Sequence, residues 1–167
     1  MNIDGQAWQT IWLEADQRPV GVIDQTQLPH RLITRTLTRC DQAVDAISTM
    51  VVRGAPLIGV TGAYGLMLAL QDDASDAGLS QAFDQLNASR PTAVNLRWAL
   101  ERVRDLVQPL PQGERAAAAR REAALIADED VAMCEAIGEY GLDLLRKLAK
   151  QRPSARQNDP LQVLTHC

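Results

Sequence analysis

The spacing of the apolar residues changes near Cys40, and this change limits the folds that the chain can adopt. Three segments before it are short, β-branched and partly alternating: residues 10–13, 20–23 and 32–37. Such segments, separated by turn-prone residues, are typical of strands. Apolar residues after it recur at helical spacing: Val44, Ile47, Met50 and Val51. We therefore predict an α+β fold in which a small antiparallel β-meander precedes a helical bundle.

Capping residues, prolines and glycines divide the rest of the chain into helices. Asp41 is the predicted N-cap of the first helix, and Pro56 is the predicted first position of the second. A short third helix is expected near residues 80–86, and Thr92 is the predicted N-cap of a fourth. The Ala-rich segment 114–150 predicts one long helix or two joined helices.

The last part of the chain predicts a second, incomplete domain. A polar linker precedes a short apolar stretch, residues 161–164, which reads as a strand. A strand needs a partner, so its sheet would have to come from outside this chain. We therefore expect a fragment with two parts. Residues 1–152 would hold the meander and the helices, and residues 153–167 would hold a linker and the first strand of a truncated domain.

Composition and charge argue against several classes of protein. The 167 residues are 46% hydrophobic and carry a formal net charge of −4 without a basic cluster, so nucleic-acid binding is not expected. The apolar stretch at residues 55–70 is too short to span a bilayer, and the N-terminus does not resemble a signal peptide. Three cysteines without metal-binding spacing predict no zinc site and no disulfide framework, and they favour a cytoplasmic protein.

Two arginines stand just before predicted helix starts. Arg53 and Gly54 precede Pro56, and Arg90 precedes Thr92. A helix N-terminus exposes free N–H groups and a partial positive charge, and a guanidinium fork suits phosphate, so both patterns are compatible with one phosphate site. Ordinary turns and capping with solvated arginines explain the same spacing.

Two further patterns allow a functional and a structural interpretation. The glycines at positions 59, 62 and 65 interrupt an apolar helix, and close helix packing explains them better than room for a ligand. Cys167 follows the predicted strand at the end where ligands bind in open α/β sheets, so its thiol is a candidate acid, base or nucleophile. A small buried cysteine at a strand end is the structural alternative.

Several of these segments resemble methylthioribose-1-phosphate isomerases. Residues 51–60 resemble the "VRGAP-x-IG" region of that family, and residues 89–96 resemble its "RPTAVNL" segment. Residues 23–29 are similar to its "DQT-x-LP" turn, residues 129–141 to its long helix, and residues 163–167 to the start of its "LTHCN-x-G" motif. The resemblance runs in order along essentially the whole chain.

The resemblance implies an enzyme of methionine salvage. Such enzymes are aldose–ketose isomerases that convert 5-methylthioribose 1-phosphate into 5-methylthioribulose 1-phosphate. They are usually homodimers, and they need no metal or nucleotide cofactor. Their N-terminal domain is a β-meander with helices, and their C-terminal domain is Rossmann-like. The resemblance therefore implies that the truncated second domain is the start of a Rossmann-like domain.

The resemblance also implies roles for individual residues. Arg53, Gly54, Ala55 and Arg90 would bind the substrate, chiefly its phosphate, and Cys167 would be the catalytic thiol. The family's proton-donor aspartate belongs to the C-terminal domain and has no counterpart here. The remainder of the polypeptide would then complete the active site, and this chain alone would be inactive.

Two related functions remain as alternatives. Ribose-1,5-bisphosphate isomerases belong to the same superfamily and would need a second cationic site for the other phosphate. Regulatory subunits of a translation-initiation exchange factor also belong to it. The regulatory reading predicts loss of the phosphate-binding arginines and of the thiol, whereas Arg53, Arg90 and Cys167 are all present.

Overall fold

The computed structural model describes residues 2–3, 5–14, 19–153 and 159–164. The chain divides into two compact units, residues 1–128 and residues 129–167. The first unit contains the sheets and most of the helices. No helix among the described residues is long and apolar enough to cross a membrane.

The first unit opens with five short strands: β1 (Asn2–Ile3), β2 (Gln6–Ala7), β3 (Ile11–Leu13), β4 (Val20–Ile23) and β5 (Thr34–Leu37). Strands β3, β4 and β5 form an antiparallel sheet in that order, which confirms the predicted meander. The central strand β4 is buried at every position. The β1–β2 pair was not predicted, because strands of two residues are too short to show an alternating pattern.

Five helices follow: α1 (Cys40–Ser48), α2 (Ala55–Asp72), α3 (Asp76–Ser89), α4 (Val94–Val107) and α5 (Gln112–Lys150). The helical bundle is confirmed, and the Ala-rich segment forms one continuous helix. Helix α3 begins earlier than residues 80–86 predicted. Ser75 is its N-cap, and the Ser75 hydroxyl accepts a hydrogen bond of 3.0 Å from the Gly78 N–H.

Two predicted N-caps are wrong. Asp41 lies in the first turn of α1, and Arg39 is the N-cap. The Gln42 side chain reaches back to accept the N–H groups of Thr38 and Arg39, and the Asp41 carboxylate accepts the Gln42 N–H at 3.0 Å from within the first turn. In α4 the N-cap is Ala93 rather than Thr92.

Helix α2 forms the centre of the first unit. Thirteen of its 18 residues are buried, and α1, α3 and α4 pack around it. A Cβ at Gly59 would lie 2.8 Å from the Asn95 carbonyl oxygen, and one at Gly65 would lie 2.8 Å from Leu86 Cδ2. A Cβ at Gly62 would overlap Leu96. The expectation that these glycines serve close helix packing is therefore confirmed.

The second unit consists of the C-terminal part of α5 and the residues after it. Five exposed apolar side chains recur every three or four residues along this part of the helix: Met133, Ile137, Tyr140, Leu144 and Leu148. Residues 161–164 are exposed and form no strand, so the strand predicted there is not formed. The described residues offer it no partner strand, and a lone strand is not stable in water. The boundary after residue 152 and the Rossmann-like domain stay predictions.

Candidate functional site

A cleft of about 460 Å³ lies between the start of α2 and the start of α4 in the first unit. Its lining comes from the α1–α2 loop, the first turn of α2 and the α3–α4 connection: Met50, Arg53, Gly54, Ala55, Ile58, Arg90, Thr92, Ala93, Val94 and Asn95. The cleft therefore brings together all four residues that the resemblance implies for substrate binding. Their role in binding stays a prediction.

The backbone beneath Arg53 is held by buried neighbours. Val51 and Val52 are buried, whereas Arg53 is exposed. The Val51 carbonyl accepts a hydrogen bond of 2.9 Å from the Gln25 N–H, and the Val52 N–H donates to the Ala46 carbonyl at 3.1 Å. The loop is thus anchored to the end of β4 and to α1, so the guanidinium extends into solvent from a fixed backbone.

Gly54 is the N-cap of α2 and has a φ of +95°. A Cβ at this position would meet nothing within 4 Å, so conformation rather than space requires the glycine. No side chain caps this helix start, and Pro56 carries no N–H. The N–H groups of Ala55 and Leu57 have no intrahelical acceptor and remain available to a ligand.

The second helix start has the same character. The Ala93 N–H donates to the Arg90 carbonyl at 2.9 Å, which folds the Arg90–Ala93 segment into a turn. Helix α4 begins at Val94, and its N-cap Ala93 offers no side-chain acceptor. Thr92, which is not the N-cap, lines the cleft. Two uncapped helix N-termini, each with a partial positive charge, therefore border one cleft.

A close crossing of α2 and α4 brings these two helix starts together. The Asn95 carbonyl oxygen lies where a Cβ of Gly59 would clash with it, and Asn95 belongs to the first turn of α4. Gly59 lies one turn after Ala55 in α2. The missing side chain thus allows the backbones to approach near both N-termini, and Arg53 and Arg90 come to line the same cleft.

The charges around the cleft are not balanced. Other arginines pair with carboxylates, as in the ion pairs Arg97–Glu101 and Arg102–Glu122. Within the part of the chain that the structure describes, neither Arg53 nor Arg90 forms an ion pair, and no carboxylate lines the cleft. Two guanidinium groups and two helix N-termini therefore present positive charge to the same space. This arrangement suits a phosphate or another small anion.

The predicted thiol cannot be placed in this cleft, because Cys167 lies outside the described residues. Burial, reinforced by Asp41 and Asp72, raises the pKa of the Cys40 thiol to about 11, so this thiol is protonated at neutral pH. Among the described residues, no group of three or more His, Cys, Asp or Glu side chains could hold a metal ion.

The cleft also has an apolar side that the sequence patterns did not assign. Met50, Ile58 and Val94 line it, and Val94 is 78% exposed. Val94 lies four residues after Arg90 at a predicted helix start, and this position was a usable signal for it. Met50 has a φ of +63°, a conformation that is rare outside glycine and asparagine. A methionine in the sequence does not predict this conformation.

Comparison with known proteins places these features in a family. The model of the initiation factor 2 subunit family matches residues 51–167. A methylthioribose-1-phosphate isomerase of Rhodospirillum centenum is 51% identical over the whole chain. The chain spans 44% of the length of that relative.

Two solved structures share the fold. The crystal structure of 5-methylthioribose 1-phosphate isomerase from Pyrococcus horikoshii has a TM-score of 0.73 and 33% identity, over 86% of this chain and 40% of that one. The translation initiation factor eIF-2B, subunit delta, from A. fulgidus has a TM-score of 0.68 and 33% identity, over 75% of this chain and 38% of that one. The family match covers both the loop of Arg53 and the start of α4, and the chain belongs to the initiation factor 2 subunit family.

Proposed function

We propose that this chain forms the phosphate-binding part of the active site of a methylthioribose-1-phosphate isomerase. The observation that carries the proposal is the cleft itself, in which Arg53 and Arg90 stand at two uncapped helix starts and form no ion pair with any described residue. The name of the relative at 51% identity and that of the structural neighbour at 33% identity support this choice of reaction.

In this proposal the phosphate anchors the sugar. Arg53 and Arg90 neutralise its charge, and the N–H groups of Ala55 and Leu57 donate to its oxygens. Because the phosphate blocks the anomeric oxygen, the ring must be opened by acid–base chemistry at a sugar that is held still. The apolar side of the cleft, at Met50 and Val94, supports a substrate with an apolar substituent such as a methylthio group.

The remaining parts of the proposal rest on the resemblance. Cys167 would be the catalytic thiol, and a proton-donor aspartate would come from a further domain of the polypeptide. The protein would act in the cytoplasm as a homodimer, in methionine salvage, without a metal or nucleotide cofactor. In a preparation of the protein that isomerises methylthioribose 1-phosphate, Cys167→Ser should lower kcat strongly and leave KM nearly unchanged. Wild-type kcat in that variant would contradict a catalytic thiol.

A binding measurement on this chain tests the phosphate site. Calorimetric titration with methylthioribose 1-phosphate should show binding without formation of the ketose. Arg53→Lys keeps the charge but loses the planar fork, so we expect Kd to rise about tenfold. Arg97→Lys is the matched control, because Arg97 is exposed and pairs with Glu101 away from the cleft lining. An unchanged Kd in Arg53→Lys would remove Arg53 from the site.

The two alternatives give different results in the same titration. A ribose-1,5-bisphosphate isomerase should bind the bisphosphate more tightly than methylthioribose 1-phosphate. The cleft lining offers only two cations among the described residues, which disfavours two separate phosphate sites. A regulatory subunit that has lost the activity should bind neither compound. Arg53 and Arg90 line the cleft without an ion pair among the described residues, and this argues against a regulatory subunit.

A further inference from the structure

Asp24 is a buried carboxylate at the end of β4, with an exposed fraction of 1%. Both of its oxygens are engaged. Oδ1 accepts the Thr26 N–H at 3.0 Å and the Thr26 hydroxyl at 2.6 Å, and Oδ2 accepts Arg35 Nε at 2.8 Å. Arg35 lies on the neighbouring strand β5. The carboxylate therefore ties the turn after β4 to the sheet and fixes the conformation of residues 24–26.

Gln25, which lies between Asp24 and Thr26, contacts the loop of the candidate site. The Gln25 N–H donates to the Val51 carbonyl at 2.9 Å. The Gln25 side-chain amide donates to the Arg53 carbonyl at 3.5 Å, which is a weaker contact. Val51 and Arg53 flank Val52, so the turn that Asp24 shapes holds the backbone from which the Arg53 guanidinium and the Gly54 N-cap project.

We propose that Asp24 is a positioning residue for the phosphate loop at Arg53 and Gly54, and this inference rests on the proposed function. The chain of contacts runs from the Asp24 carboxylate to the turn, from the Gln25 N–H to Val51, and from there to the loop. An anion site gains affinity when its donors are held in place before the ligand arrives. Loss of the Asp24 contacts frees Gln25, and the donors at the loop then lose their fixed placement.

A purely structural Asp24 makes a different prediction. Substitution of a purely structural Asp24 would lower the stability of the fold and leave the phosphate affinity of the folded molecules unchanged. Substitution of a positioning Asp24 lowers the phosphate affinity itself, and it does so under conditions in which the chain is fully folded. The two roles are therefore separated by measuring phosphate binding well below the melting temperature of each variant.

The experiment uses inorganic phosphate as the probe and the backbone amides of Gly54 and Ala55 as reporters in NMR titrations of the whole chain. We expect Asp24→Asn and Thr26→Val each to raise the Kd for phosphate about tenfold, since each removes hydrogen bonds that shape the turn. Thr26→Ser keeps the hydroxyl and should restore wild-type affinity. Asp41→Asn is the control, because the exposed Asp41 carboxylate pairs with Arg39 and does not line the cleft.

The outcomes separate this inference from the proposed function. If phosphate leaves the amide resonances of Gly54 and Ala55 unchanged in the wild-type chain, the proposed phosphate site is wrong. The positioning role is then wrong as well. If the wild type binds, and Asp24→Asn and Thr26→Val bind equally well despite lower melting temperatures, only the positioning role is overturned. If Asp24→Asn does not fold, the comparison of Thr26→Val with Thr26→Ser decides. Equal phosphate affinity in the two variants overturns the positioning role, and weaker phosphate binding by Thr26→Val alone supports it.

Discussion

Gly54 illustrates how one residue shapes the phosphate loop. Its φ of +95° turns the chain from the exposed Arg53 into the first turn of α2. No neighbour occupies the space of an added side chain, so the demand for glycine is purely one of backbone conformation. Because glycine has no side chain that could accept a hydrogen bond, the helix start also stays uncapped and open to a ligand.

Gly54→Ala should therefore destabilise the chain without any steric clash. We expect the free energy of unfolding to fall by about 1–2 kcal/mol, the cost of placing a residue with a Cβ at positive φ. Urea unfolding followed by circular dichroism measures this change. Gly113→Ala is the matched control, because Gly113 also has open space but lies in the first turn of α5 without a positive φ, where alanine should not destabilise the chain. Equal effects at both positions would contradict a conformational demand at Gly54.

Asp24 makes the stability of the chain depend on pH. Burial alone would raise the pKa of Asp24, but the hydrogen bonds from Thr26 and Arg35 outweigh burial and hold it below 3.8. A group whose pKa is lower in the folded chain stabilises the fold above its unfolded pKa and loses this effect as pH falls through the folded pKa. The stability difference between wild type and Asp24→Asn should thus be full near pH 7 and shrink below about pH 3.8. A difference that stays constant across urea titrations at these pH values would exclude this contribution.

At the scale of elements, the crossing of α2 and α4 creates the cleft. The crossing is close because Gly59 has no side chain where the Asn95 carbonyl of α4 approaches. The same contact brings the two uncapped helix starts to one place. Packing of the core and the geometry of the candidate site therefore depend on the same residue.

Gly59→Ala should disturb both packing and binding. Its Cβ would lie 2.8 Å from a backbone oxygen that cannot rotate away, so the helices must shift. We expect a loss of about 1–3 kcal/mol in the free energy of unfolding, typical of overpacking, together with weaker binding of phosphate. Gly138→Ala is the control, since nothing lies within 4 Å of an added Cβ there. Unchanged phosphate affinity in folded Gly59→Ala would show that the crossing does not shape the site.

The elements were more predictable than their ends. Helical spacing after Cys40 and the β-branched segments before it indicated the right classes, because burial on one face requires those periods. The caps at Asp41 and Thr92 were predicted wrongly, because the path of the chain rather than the capping preference of a residue decides where each helix begins, and Arg39 and Ala93 are the N-caps. In α1 the Gln42 side chain supplies the capping contacts from inside the helix.

At the scale of the whole first unit, Arg115 links elements that are distant in sequence. It is 5% exposed and donates to the carbonyls of Ala74, Gln108 and Leu110 at 2.9–3.0 Å. It also pairs with Asp76 at 2.7 Å. One guanidinium near the start of α5 thus binds the start of α3 and the connection between α4 and α5.

Arg115→Met should destabilise the chain severely, because it leaves three carbonyls without their donor. We expect a loss of about 3 kcal/mol in the free energy of unfolding. Arg146→Met is the control on the same helix, since Arg146 is exposed and its 3.7 Å ion pair with Asp143 should contribute less than about 0.5 kcal/mol. Thermal unfolding of the two variants measures the difference. Similar melting temperatures would mean that water replaces the Arg115 contacts.

The candidate site was predictable in its parts and not in its assembly. Arg53 and Arg90 were recognisable because each precedes a helix start, and the resemblance linked them to one phosphate. Arg53 and Arg90 converge because two helices cross, and no local sequence pattern predicts this crossing. The packing role of Gly59 was inferred correctly, but its partner Asn95 could be identified only from the structure.

The uneven burial of the helices has a consequence for hydrogen exchange. Thirteen residues of α2 are buried, so the hydrogen-bonded amides beyond its first turn should exchange with solvent only when the first unit unfolds as a whole. The last buried residue of α5 is Ile126, and the helix continues to Lys150 with its side chains accessible. Amides in that second half should exchange through local opening of single turns. A deuterium-labelling experiment on the chain should thus show one slow group in α2 and a gradient of increasing rate along α5.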